Sequence, residues 1–93
     1  MTIGYLQLDL YLPGVNSIKH KRSVVSSIKN RLRNKYNIAI AEMNANSHWS
    51  RVSLGITTLS DSYNIVNNIL NDVERYIEAN FEVSIINRNI EFL

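Results

Sequence analysis

In "TIGYLQLDLYL" leucines at 6, 8, 10 and 12 alternate with Gln7, Asp9 and Tyr11, and this period of two constrains the chain most. Successive side chains of an extended strand point to opposite faces, so Thr2 to Leu12 reads as a strand with one apolar face that must be covered. Pro13-Gly14 stops the strand and starts a loop. Asn16 or Ser17 then caps a helix, along which Ile18, Val25, Ile28 and Leu32 recur at helical spacing to about Lys35. "YNIAIAEMNA" reads as a second strand, "NANS" as a turn, and "HWSRVSLGITTL" as a third strand with Val52, Leu54 and Ile56 on one face. Ser60 or Asp61 caps a second helix with Val66, Ile69, Leu70, Val73 and Ile77 as its stripe, ending near Asn80, and "EVSIINRNIEF" is a final strand. The order βαββαβ is solved most simply by a four-stranded antiparallel sheet with both helices on one face, the ferredoxin-like α+β arrangement. Its other sheet face is left open.

Ninety-three residues, 45% of them hydrophobic, suffice for one two-layer core, so residues 1–93 are expected to form a single domain. The chain has no cysteine, which excludes disulfides, thiolate zinc sites and thiol nucleophiles and fits a reducing compartment. The first residues lack a basic segment followed by an apolar run, so no signal peptide is expected. No apolar stretch is long enough to cross a bilayer. The expectation is a cytoplasmic protein without membrane partners.

Net charge is only +2, yet its distribution is uneven. Residues 1–41 hold seven basic residues and one acid, Asp9, whereas residues 42–93 hold three basic residues and seven acids. All seven of the first set fall in "SIKHKRSVVSSIKNRLRNKY", which contains no acid. Helical spacing places Lys19, Arg22, Lys29 and Arg33 on the outward side of this helix. Lys21 falls beside the core stripe, where its stem is expected to pack and its ammonium to reach water. Lys19, Lys21 and Arg22 occupy the first turns, where the helix dipole disfavours positive charge by roughly 0.3–1 kcal/mol each. With the backbone N–H groups after Ser17, these cations fit an anion. Three readings stay open at this point: a solvated face, contact with a nucleic-acid backbone, and an acidic protein partner.

If the leucines face the helices, then Ile3, Tyr5, Gln7, Asp9 and Tyr11 face outward, and the same alternation puts Trp49, Arg51, Ser53, Gly55 and Thr57 on the outer face of the third strand. Tyr5, Tyr11, Trp49 and Arg51 are therefore candidate interaction residues. Base stacking on such a sheet is known from RNA-recognition domains, but their Gly-Phe-Gly-Phe-like run is absent from "HWSRVSLGI". Association with a second copy or another protein is the commoner fate of such a face.

No enzyme chemistry is expected. His20 and His48 have no ligand spacing, and neither has a carboxylate beside it in sequence, so no metal or cofactor site is expected. A Gly-rich phosphate loop and a nucleophile elbow are both absent.

The stretch "LPGVNSIKHKRSVVSSIKNRLRNKYNIAIAE" resembles the YlxP-like family of small bacterial proteins of unknown function. The matching elements are Leu12-Pro13, Ser17-Ile18-Lys19, Lys21-Arg22-Ser23, Asn37-Ile38 and Ala41-Glu42, and Trp49 with "RVSLGI" is similar to the family's third strand. His48 and Ser50 depart from the residues that flank the tryptophan in relatives. The resemblance implies a ferredoxin-like fold, no established activity, and genes that often sit among translation and ribosome-maturation genes. It therefore favours ribosomal RNA or a ribosome assembly intermediate as partner, bound through Ser17, Lys19, Lys21, Arg22, Lys29 and Arg33. The alternative is a homodimeric interaction module with an acidic protein partner.

Overall fold

The structure, a computed structural model, describes residues 1–43 and 48–93; the expected turn "NANS" at 44–47 lies outside them. The elements run β1 (Thr2–Tyr11), α1 (Ile18–Lys35), β2 (Ala39–Met43), β3 (Arg51–Ser60), α2 (Tyr63–Asn80) and β4 (Ser84–Phe92). The strands form one antiparallel sheet in the order β2-β3-β1-β4. The expected ferredoxin-like arrangement is therefore the observed one.

The alternation in β1 does what its period requires. Leu6, Leu8, Leu10 and Leu12 are all 0–1% exposed and meet Val25, Ile28 and Leu32 of α1 and Val66, Leu70, Val73 and Ile77 of α2. Burying each such side chain contributes about 1.5–3 kcal/mol, so this layer dominates the fold's stability. α2 packs tightly over Gly4, where an added Cβ would stand 2.5 Å from Val66 Cγ1 and 2.8 Å from Leu70 Cδ1. After β1 the chain turns through Gly14, whose φ of +77° strains any L side chain.

Ser17 caps α1: its Oγ accepts from the His20 N–H at 3.0 Å and its carbonyl accepts from the Lys21 N–H at 3.0 Å. The cap of α2 is Ser62 rather than Ser60 or Asp61. β3 runs on through Ser60, whose Oγ instead accepts from the Ser62 N–H at 3.1 Å, while Ser62 Oγ accepts from the Ile65 N–H at 3.4 Å.

Two local departures from simple alternation matter. β4 pairs Asp9 with Asn87 but Leu10 with Ile85, so Ile86 is an extra residue that bulges from the ladder. And β3 starts at Arg51, not at His48. The His48 ring draws the next residues into a turn: its Nδ1 accepts from the Ser50 N–H at 3.2 Å, and its carbonyl accepts from the Arg51 N–H at 3.4 Å. Such side-chain bonds compete with the ladder. Trp49 consequently precedes the sheet and is not one of its outer-face residues.

Candidate functional site

The cations of α1 divide into three groups once their surroundings are known. Lys21 is buried, 4% exposed, and its ammonium does not reach water as expected: Nζ donates to the His48 carbonyl at 3.1 Å and lies 3.9 Å from Glu42 Oε1. The chain at His48 closes over it, so Lys21 holds the segment before β3 against the start of α1 and is withdrawn from any phosphate.

Arg31 and Lys35 form the second group, on the flank that faces α2. The Arg31 guanidinium lies 4.7 Å from the centre of the Phe81 ring and 5.6 Å from that of Tyr76, and its Nη2 donates to Tyr76 Oη at 3.1 Å. Lys35 Nζ is 5.4 Å from the Tyr76 ring centre and 5.6 Å from that of Tyr36. Tyr36 and Tyr76 meet edge to face at 6.1 Å. These cations help weld α1 to α2. Burial pushes the Tyr36 phenol above its ordinary pKa, helped by Asp72 and Tyr76, while Arg75 opposes the rise.

Lys19, Arg22, Lys29 and Arg33 remain, on the flank of α1 away from α2. Lys19 and Arg22 are exposed and Lys29 is half-buried. Among the described residues no hydrogen bond or ion pair engages these three. Arg33 is partly committed, since its Nη2 donates to the Ile40 carbonyl of β2 at 3.1 Å. Spacings of three, seven and four residues along α1 line the four up over about 21 Å, at about 1.5 Å of rise per residue. No carboxylate interrupts the line. Ser17 heads it, but its hydroxyl is spent on the helix cap.

The open sheet face has a different character. Tyr5, Gln7, Asp9 and Tyr11 stand opposite Thr57, Gly55, Ser53 and Arg51, and Glu91 flanks Tyr5 from β4. Tyr5 lies down over Gly55, whose added Cβ would be 2.9 Å from its Oη and 3.0 Å from its Cε1; that hydroxyl donates to Gln7 Oε1 at 2.9 Å. Asp9 accepts from Ser53 Oγ at 2.6 Å. With Asp9 and Glu91 on it, this face does not attract a chain of phosphates. A hollow of about 230 Å³ opens beside Tyr5, floored by Ala39, Ala41 and Gly55 and rimmed by Met43. Tyr11, 41% exposed, stands across from exposed Arg51 at one end of the sheet.

The two candidate surfaces thus lie on opposite sides of the sheet and approach each other where β1 ends and β3 and α1 begin, and along the β2 edge, where Arg33 reaches Ile40. Sequence spacing finds the stripe but not its losses. Lys21 has its partners 21 and 27 residues away, and the aromatic partners of Arg31 and Lys35 on α2 lie too far along the chain for helical periodicity to reveal. Among the described residues no three His, Asp or Glu side chains converge as a metal site would need, and no helix is long and apolar enough to cross a membrane.

Comparison with known proteins adds a family. The family model described as "Protein of unknown function (DUF503)" matches residues 3–90. "Uncharacterized protein YlxP" of Bacillus subtilis (strain 168) is 35% identical over 60 residues, 64% of this chain, and the chain spans 65% of that relative's length. Among solved structures, the solution structure of a de novo designed protein with a ferredoxin fold superimposes with a TM-score of 0.63. It is 15% identical, and the match covers 98% of this chain and 86% of the design. That likeness concerns the fold alone.

Proposed function

The chain belongs to the DUF503 family of proteins of unknown function, and from that premise we propose that it is a non-enzymatic accessory protein that docks on ribosomal RNA or a ribosome assembly intermediate. The observation that carries the proposal is the uninterrupted line of Lys19, Arg22 and Lys29 on one flank of α1, with no hydrogen bond or ion pair from the three to any of the described residues. Three unbalanced cations on one flank repel one another mildly, and at the first turns the helix dipole opposes Lys19 and Arg22. A polyanion with regularly spaced phosphates repays that cost.

Three phosphate contacts give a salt dependence of about −0.9 per contact, so affinity falls about 40-fold between about 50 and 200 mM salt. Titration of the protein into labelled ribosomal RNA tests this. Charge reversal at Lys19, Arg22 and Lys29 together is expected to abolish binding; retained affinity in that variant overturns the assignment.

A specific feature of the open face favours a second reading, a homodimer. Leu59 is 65% exposed, Met43 37%, and they share the face with the half-buried Ile3 and Tyr5. Leu59→Lys is then expected to shift a monomer–dimer equilibrium toward monomer in sedimentation, and an unchanged equilibrium rejects this reading.

A further inference from the structure

Trp49 is the chain's one tryptophan and is left 46% exposed. A side chain with so large an apolar surface normally gives up more of it to packing. The backbone on either side of it is nevertheless tied down. Lys21, buried beneath, anchors the His48 carbonyl at 3.1 Å, and the Leu12 N–H donates to the Ser50 carbonyl at 2.7 Å. The residues on either side of Trp49 are thus tied to α1 and to the end of β1. The His48 ring lies beside the indole, 5.7 Å between centres and tilted by 34°, with Ser50 Oγ 2.7 Å from its Nδ1.

These ties put Trp49 at the corner where the cationic line begins. Lys21 shares the first turns of α1 with Arg22, about 100° away around the helix, and with Lys19, which projects from the opposite side. Arg51, two residues after Trp49 and exposed, adds a fourth cation on the sheet side. Two carboxylates lie at this corner: Glu42 is met by Lys21, and Asp9, which lines one hollow with Arg51, accepts from Ser53 Oγ. An exposed indole, on a backbone tied to the first turns of a basic helix, matches the combination that single-stranded nucleic acids require, a flat surface for a base and positive charge for the phosphates on either side of it.

We propose that Trp49, with Lys19, Arg22 and Arg51, is a stacking site for an unpaired base, so that the RNA taken is single-stranded or looped at this corner rather than continuous duplex. This rests on the RNA-docking reading above and deepens it. In an A-form duplex the base faces are occupied by their neighbours, and the indole has nothing to stack on. In a loop or single strand one base leaves its stack for Trp49, while phosphates before and after it meet Lys19 and Arg22 on one side and Arg51 on the other.

The lone tryptophan is its own probe. The whole protein is titrated with a single-stranded oligouridylate and with a blunt duplex RNA of equal length, at about 50 mM salt. Indole emission is recorded together with the anisotropy of a dye on the RNA. The expected result is quenching by the single strand but not by the duplex, and tighter binding of the single strand. Trp49→Ala should then weaken single-strand binding by about 5- to 150-fold, leave duplex binding unchanged, and be largely rescued in Trp49→Phe. Equal binding of both RNAs with unchanged emission, or an alanine variant that binds the single strand as well as the parent, overturns the stacking site while the docking reading stands. No anisotropy change with either RNA overturns both.

Discussion

Two glycines on opposite faces of the same sheet offer a controlled comparison of how firmly each face is packed. At Gly4 a methyl group would stand 2.5 Å from Val66 Cγ1 and 2.8 Å from Leu70 Cδ1, against an ordinary carbon–carbon separation of about 3.5–4.0 Å. Both neighbours are fully buried, so relief requires α2 to lift from β1 or Val66 to leave its rotamer. Overpacking of this kind costs about 1–3 kcal/mol. Replacing glycine by alanine also restricts the unfolded chain and returns about 0.4–1 kcal/mol. Gly4→Ala is therefore expected to destabilise by about 1–2 kcal/mol, which lowers Tm by about 5–15 °C in a domain of this size. At Gly55 the same methyl meets Met43 Cγ at 2.8 Å and the hydroxyl end of Tyr5 at 2.9 Å. These are movable side chains on an open face, and they swing aside. The Tyr5–Gln7 hydrogen bond is then lost, at about 0.5–1.5 kcal/mol, and the unfolded-chain gain nearly offsets it. Gly55→Ala is expected to fall within about 0.5 kcal/mol of the parent. Urea unfolding followed by circular dichroism measures both, with an unchanged m value as the check that two-state behaviour persists. If Gly55→Ala proves as costly as Gly4→Ala, the outer face is not open in solution and the reasoning fails.

Other residues give sharper single tests. Lys29→Glu should weaken binding to ribosomal RNA and reduce the salt slope by about one contact, or nearly 0.9 in log–log terms; an unchanged slope would remove Lys29 from the interface. Lys21→Met should cost about 1–2 kcal/mol, since the His48 carbonyl loses its donor while Glu42 is exposed enough to stay solvated. The same variant should lower the anisotropy of Trp49 emission as the anchor is released. Ser17→Ala should cost about 1 kcal/mol in urea unfolding through the lost cap. The raised pKa of Tyr36 makes stability depend on alkaline pH. The unfolded phenol ionises first, near about 10, so stability contributed by the neutral ring is present below that pH and lost as pH rises through the folded value. Unfolding at about pH 9 and pH 11 should show a smaller loss in Tyr36→Phe than in the parent.

The architecture was legible because each element carries its own period and its own stop. Leu6 to Leu12 mark β1, Pro13-Gly14 ends it, and the stripes of α1 and α2 bury the predicted residues except Ile18, which is exposed, and Ile69, which is half-buried. The resemblance to YlxP-like proteins was legible for the same segment, and the fold explains part of it. Lys21, inside the matching stretch, and Glu42, at its end, meet as an ion pair, while Leu12 is core and Ser17 is a cap. What escaped the sequence was set by side-chain contacts, near and distant along the chain, that periodicity does not encode. The alternation Trp49, Arg51, Ser53 continues formally into β3, yet the His48 ring captures the Ser50 N–H and removes Trp49 from the ladder. The bulge at Ile86 leaves no mark in "SIINRNIEF", whose apolar residues fit more than one register. Half of the expected phosphate contacts changed status likewise: Ser17, Lys21 and Arg33 are engaged within the protein, and Lys19, Arg22 and Lys29 are left to act.

Arg33 has a consequence beyond RNA. β2 is an edge strand, paired only with β3, and an edge of this kind displays unpaired carbonyl and N–H groups to any other chain. By donating to the Ile40 carbonyl, Arg33 occupies one of those groups with a charged side chain, which a fifth strand would have to displace. The opposite edge, β4, is kinked at Ile86 and lined by exposed Asn87, Arg88 and Asn89. Sheet growth by strand addition is thus discouraged at both ends. Reversing the charge at Arg33 exposes the β2 edge to self-pairing, and the turbidity of a concentrated solution becomes a measure of how far this one guanidinium holds the sheet at four strands.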